Sequence, residues 1–147
     1  MTIHNGHFAG AARWAARFVR ASISGGPKGR PYTRWLRALP TVGYMLLIFG
    51  VSSVPSRDLP ALIDDRVLHF AEYFVLGVLM VFSVTAWMRR GAMGVSWFLA
   101  SAYAATDEWH QSFVAGRDSS LKDIAFDLLG ITVALSVLIL LLRQSTR

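Results

Sequence analysis

Hydrophobic residues gather into four long runs, and polar residues gather at their ends. The runs extend from about Leu36 to Val54, Val67 to Met88, Ala92 to Phe113 and Ile124 to Leu142, the third being apolar only as far as Ala105. None alternates with a period of two, so strands and a membrane barrel are disfavoured. Each run can supply the roughly 17–25 residues of a membrane-crossing helix. The links between them are short. Residues 52–65 carry Pro55 and Pro60, residues 88–94 carry Arg89, Arg90 and two glycines, and residues 115–121 turn at Gly116. Short links imply antiparallel neighbours. The pattern therefore predicts an all-α membrane bundle of four transmembrane helices over residues 33–147, arranged up-down-up-down.

Residues 1–32 read as a basic cytoplasmic tail. Phe8, Ala11, Ala12, Ala15, Phe18 and Val19 share one helical face, and Arg13, Arg17 and Arg20 another. An amphipathic helix in the membrane interface is expected there, broken from the first span by Ser24-Gly25-Gly26-Pro27. No arginine run leads into an apolar core with a small-residue cleavage site, so the first span is expected to be an uncleaved anchor.

Composition supports the membrane reading, with 54% hydrophobic residues. The chain has no cysteine, which excludes disulfides, thiolate catalysis and cysteine-ligated metals. Its net charge is +6 and unevenly spread. The first 37 residues hold seven basic residues and no acid, and every acid lies between Asp58 and Asp127. The basic tails and the Arg89-Arg90 turn are expected in the cytoplasm, close to anionic lipid. Both termini are then inside, and the links at 52–66 and 115–122 face outside. No recognition fold accompanies the basic tail, so nucleic acid is not an expected partner.

This topology brings three polar groups to the outer end of the bundle. Asp65, His69, Glu72 and Tyr73 open the second run. Asp107, Glu108, His110 and Gln111 close the third. Arg117, Asp123 and Asp127 surround the start of the fourth. An ionisable group at the centre of a spanning helix costs about 2.5–3.5 kcal/mol on insertion scales, so such a cluster needs a use or a network that satisfies it. Asp65, His69 and Tyr73 recur at i, i+4 and i+8 and share a face, as do Asp123 with Asp127 and Asp107 with Gln111. The expected shape is an outward funnel, with carboxylates at the rim and His69, Tyr73 and Asp127 lower down.

Candidate catalytic residues are His69, as base or nucleophile oriented by Asp65 or Glu72, with Asp107, Glu108 and Asp127 placing a hydroxyl, a water or a metal. Candidate substrate-binding residues are Arg117, whose guanidinium fork suits phosphate, with Tyr73, Gln111 and Asp123. The N-termini of the second and fourth helices also favour an anion there. Together these suit chemistry on a phosphorylated lipid headgroup. A divalent Mg²⁺, Mn²⁺ or Zn²⁺ on His69, Asp65, Asp107, Glu108 and Asp127 is a variant, although no ligand spacing is diagnostic. Two other readings use the same residues: a binding module for lipid or cell-wall precursor without turnover, and a polar lock of purely structural purpose. His110 is expected outward or structural. Trp35, Trp87, Trp97 and Trp109 are expected as interfacial anchors, and Gly130 with Ala134 as a close helix contact.

The run Asp65-Arg66-Val67-Leu68-His69-Phe70-Ala71-Glu72-Tyr73 resembles the first motif of the VanZ-like membrane proteins. Asp107-Glu108-Trp109-His110-Gln111-Ser112-Phe113-Val114-Ala115-Gly116-Arg117, with Asp123, Asp127 and Gly130, resembles the second, and Ser52-Ser53 also fits. The resemblance covers about residues 36–142. Three positions depart from it: Arg66 stands where Lys is common, Ala115 replaces the usual proline, and Asp127 stands where Asn is common. The resemblance implies a multi-pass protein of the bacterial cytoplasmic membrane. It further implies a link to low-level resistance to glycopeptides such as teicoplanin, and a relation to enzymes that exchange or hydrolyse lipid headgroups. Phosphatidylserine-synthase-like proteins are among those enzymes.

Overall fold

The computed structural model describes residues 10, 14, 16–17, 19–21, 31–55, 64–117 and 119–144. These residues form helices and turns, with no strand among them. Four long helices follow one another: α1 (Pro31–Ser52), α2 (Asp65–Val84), α3 (Ala92–Gln111) and α4 (Leu121–Gln144). Three of them, over Arg34–Ser52, Asp65–Val84 and Leu121–Gln144, are long and apolar enough to cross a membrane. The third predicted span, α3, forms a helix of 20 residues but carries more polar positions.

Local chemistry sets the ends. Pro31 opens α1, where the missing N–H costs nothing. Asp64 caps α2 by accepting from the Arg66 N–H at 2.9 Å. That helix ends at Val84, four residues before the sequence estimate. There the Thr85 hydroxyl donates to the carbonyls of Val81 and Phe82, at 2.8 and 3.0 Å, and competes with the ladder. Gly91 takes the left-handed conformation (φ 73°) just before α3. Ser120 caps α4 by accepting from the Lys122 N–H at 3.1 Å, so that helix begins three residues early.

The contacts settle the directions. Gly130 lies against Phe70 and Phe74, and Gly77 against Ile131 and Ala134, so α2 and α4 run parallel. A Cβ at Gly130 would strike the Phe70 carbonyl oxygen and come within 2.9 Å of the Phe74 nitrogen. Only a residue without a side chain permits this approach, which is how apolar helices gain packing when lipid offers no hydrophobic contrast. Thr41 bonds Ser83 at 2.5 Å and the Leu79 carbonyl at 2.9 Å, and Ser83 donates to the Arg37 carbonyl, making α1 antiparallel to α2. Tyr103 donates to the Met45 carbonyl at 2.5 Å and Trp97 to Thr132 at 3.1 Å, which set α3 parallel to α1 and antiparallel to α4. The arrangement is the expected up-down-up-down bundle, with α2 against all three partners and the α2–α4 contact the most extensive.

The core holds Ile48, Tyr73, Leu76, Val81, Ala100, Ala104, Ile131 and Ala134. Much of α1 lies outside it, with Trp35, Leu36, Leu39, Leu46, Leu47 and Phe49 exposed.

Of the tail, Gly10, Trp14, Ala16, Arg17, Val19, Arg20 and Ala21 are helical. Ala16 is buried, Val19 packs against the core, and Arg20 donates to the Leu142 carbonyl at 3.3 Å, so this segment touches the bundle near the end of α4. Phe8, Ala11, Ala12, Arg13, Ala15, Phe18 and the expected break at residues 24–27 lie outside the described residues.

Candidate functional site

All three polar groups meet at one end of the bundle, where α1 and α3 finish and α2 and α4 begin. Two networks share that end. In the first, His69 on α2 and Asp127 on α4 pair at 2.9 Å through Nδ1 and Oδ1. Their side chains are 5% and 1% exposed. An ionised carboxylate only accepts, so Nδ1 donates to Asp127 and the Nε2 edge of the ring faces Asp65. Asp65 Oδ2 lies 4.0 Å from Nε2, too far for a hydrogen bond. Of the expected orienting partners, Asp65 stands at the limit of ion-pair distance from Nε2, and the ring's hydrogen bond goes instead to Asp127. The reason is tertiary: parallel packing at Gly130 draws α4 onto the His69 face of α2. Glu72 is half-buried and makes no hydrogen bond or ion pair with a described residue.

Arg117 stands at the rim of this network. Its Nε donates to the Val54 carbonyl and its Nη2 to the Val51 carbonyl, both at 3.3 Å, while Nη1 lies 3.6 Å from Asp65 Oδ1. The guanidinium therefore caps the C-terminal end of α1 and neutralises a rim carboxylate. Asp123, in the first turn of α4, joins the same place. One ligand atom each from Asp65, His69 and Asp123 fall within 4.8 Å of one another.

The second network centres on Asp107. Its Oδ2 accepts from Ser52 Oγ at 2.9 Å, Gln111 Nε2 at 3.2 Å and the Tyr73 hydroxyl at 3.3 Å. Gln111 also reaches Ser52 Oγ at 3.3 Å. Asp107 and Glu108 were expected at the rim, but both are buried, because the end of α3 is enclosed by α1 and α2 on one side and by the α4 N-terminus on the other. Glu108 Oε1 accepts from the Ser120 backbone N–H. Asp107 Oδ1 and Glu108 Oε2 are buried and have no hydrogen-bond partner among the described residues.

His110 lies beside both networks as a structural residue. It bonds Ser53 Oγ through Nε2 at 2.9 Å and stacks on Phe49 with 4.3 Å between ring centroids. Together with Tyr103, Asp107, Trp109 and Phe113 these rings line a cleft of about 360 Å³. Trp35 and Trp87 stack edge-on at the opposite end of the bundle.

Sequence reasoning did not anticipate Ser120, nor the Val51 and Val54 carbonyls. Ser120-Leu121-Lys122-Asp123 has capping-box spacing and could have signalled the first. The carbonyls carry no side-chain signal.

The family model described as VanZ/LLP1 matches residues 65–143, and the chain belongs to that family. No curated protein and no solved structure matches the chain.

Proposed function

We propose that this VanZ/LLP1 protein crosses the bacterial cytoplasmic membrane four times and acts on the phosphorylated headgroup of a lipid or lipid-linked precursor at the outer leaflet. Parity supports this crossing number. Helices α2 and α4 are apolar enough to span and run parallel, a direction that calls for a return crossing between them, and α3 is the long helix the described residues offer for it. Its 20 residues extend about 30 Å, the thickness of the hydrocarbon layer. The Lys/Arg bias then puts the Arg89-Arg90 turn inside and the polar end outside.

The observation that carries the functional reading is the buried His69–Asp127 pair with Nε2 left open beside Arg117. Asp127 orients the ring, and its Nε2 edge faces the place of the headgroup. Arg117 and the N-terminal ends of α2 and α4 draw the phosphate to it. Exposed apolar residues on α1 offer the lipid-facing surface from which a headgroup reaches this end.

Asp107 favours a different role for its own half of the site. Three donors converge on one of its oxygens, an arrangement that locks α1, α2 and α3 together. Tyr73 and Gln111 are on this reading structural rather than substrate-binding. A connection to glycopeptide susceptibility is proposed only through the family, and rests on the same envelope chemistry.

Native mass spectrometry of the protein in mild detergent, wild type beside His69→Ala and Arg117→Ala, tests this. A specific phospholipid or polyprenyl phosphate is expected on the wild type, lost from Arg117→Ala and retained or enriched on His69→Ala. The absence of any selective lipid in all three would refute the reading.

A further inference from the structure

Asp65 and His69 lie on the first two turns of α2, and Asp123 lies on the first turn of α4. Their three ligand atoms are mutually within 4.8 Å. Two features separate this group from an ordinary set of surface acids. His69 is 5% exposed, and its Nε2 has no hydrogen-bond partner among the described residues, the nearest charged atom being Asp65 Oδ2 at 4.0 Å. The ring is buried and its Nε2 edge is aimed into the group. Its other nitrogen is held by Asp127 at 2.9 Å. A carboxylate on the far nitrogen of the ring is the arrangement that fixes a metal-ligating histidine.

We propose that Asp65, His69 and Asp123 bind one divalent transition-metal cation, with Nε2 as the imidazole ligand and Asp127 as the carboxylate behind it. One nitrogen and two carboxylate oxygens suit Zn²⁺ or Mn²⁺ better than Ca²⁺ or Mg²⁺, which favour all-oxygen shells. Ligand bonds of about 2.0–2.2 Å require the three atoms to draw together slightly. The exposed Asp65 side chain has the freedom to do so. Three protein ligands leave a position open. Arg117 Nη1 stands 3.6 Å from the other oxygen of Asp65, so a phosphate oxygen at the open position sits between two cations. The residues differ from those the sequence suggested, since Asp107 Oδ2 is taken by three donors and Asp127 by His69. The inference rests on the proposed lipid reading only for the purpose of the site, and it gives Nε2 its part there as a metal ligand.

The test is metal binding by the full chain in mild detergent. The protein is stripped with EDTA, then titrated calorimetrically with Zn²⁺ and with Mn²⁺, with metal content read by mass spectrometry. One equivalent per chain is expected. Affinity should fall about 10–100-fold in Asp127→Asn, the usual effect of losing the carboxylate behind a ligand, and further in Asp123→Asn. Asp123→Asn keeps the size of the side chain and is the deciding variant. Its thermal transition without metal should match the wild type. Absence of saturable binding to the wild type overturns the proposal, as does unchanged affinity in Asp123→Asn. Lipid turnover that needs His69 yet survives EDTA also overturns it, while leaving the lipid reading intact. Saturable binding with no lipid bound or turned over upholds the cation site and removes the lipid reading.

Discussion

His69 Nδ1 and Asp127 Oδ1 meet at 2.9 Å between two parallel helices, 58 positions apart in the chain. Both side chains are almost fully buried, so neither can turn to water if its partner is lost. Asp127→Ala leaves the imidazole N–H unpaired, and a buried donor without its acceptor costs about 1–3 kcal/mol. Asp127→Asn keeps an acceptor oxygen and should cost less. Chemical denaturation in detergent should rank them wild type, Asp127→Asn, Asp127→Ala. Equal stability of wild type and Asp127→Ala would mean that the pair does not form.

Gly130→Ala should separate α2 from α4, because the new methyl meets backbone at Phe70 and Phe74 rather than a flexible side chain. A loss at or above the roughly 1–3 kcal/mol of ordinary overpacking is expected. A Cβ at Gly43 in α1 meets nothing within 4 Å, and Gly43→Ala should be neutral or stabilising by up to about 1 kcal/mol through helix propensity. The thermal transition should therefore fall in Gly130→Ala and not in Gly43→Ala. Similar losses in both would argue against the close α2–α4 approach.

Ser52→Ala removes the shortest donor to Asp107, at 2.9 Å, and Tyr73→Phe the longest, at 3.3 Å. A hydrogen bond to a charged group is worth about 1.5–3 kcal/mol. Ser52→Ala should destabilise more than Tyr73→Phe in hydrogen-bond terms, since both leave Asp107 with two other donors. Equilibrium unfolding of the two single variants and the double variant measures the coupling. Strict additivity would show that the two hydroxyls do not share one acceptor.

The chain has no cysteine, so single cysteines report topology without background. Ser53→Cys and Ser119→Cys should react with a membrane-impermeant maleimide on intact spheroplasts, and Arg90→Cys only after lysis. Labelling of Arg90→Cys from outside would invert the proposed orientation.

Helices, their order and the polar end were legible along the chain because each depends on short-range periodicity. Apolar runs of spanning length, Gly and Pro at the breaks, and acids confined to residues 58–127 say where helices lie and which ends are polar. Alternation of direction then gathers Asp65, His69, Asp107, Arg117, Asp123 and Asp127 at one end without any knowledge of packing. Helix ends proved less legible at Thr85 and Ser120, where a single hydroxyl decides between one more turn and a cap.

Pairing within that end was decided only by the tertiary structure. On α2 alone, His69 has Asp65 one turn away and Glu72 three residues on, and spacing suits either as its partner. The absent side chain at Gly130 lets α4 approach until Asp127 reaches His69 first. Asp107 reads as a solvated helix end until Ser52 and Tyr73 close over it from α1 and α2. Periodicity fixes the face a residue occupies, whereas the rotation and separation of two helices depend on side-chain contacts summed along their whole length, which no local pattern contains.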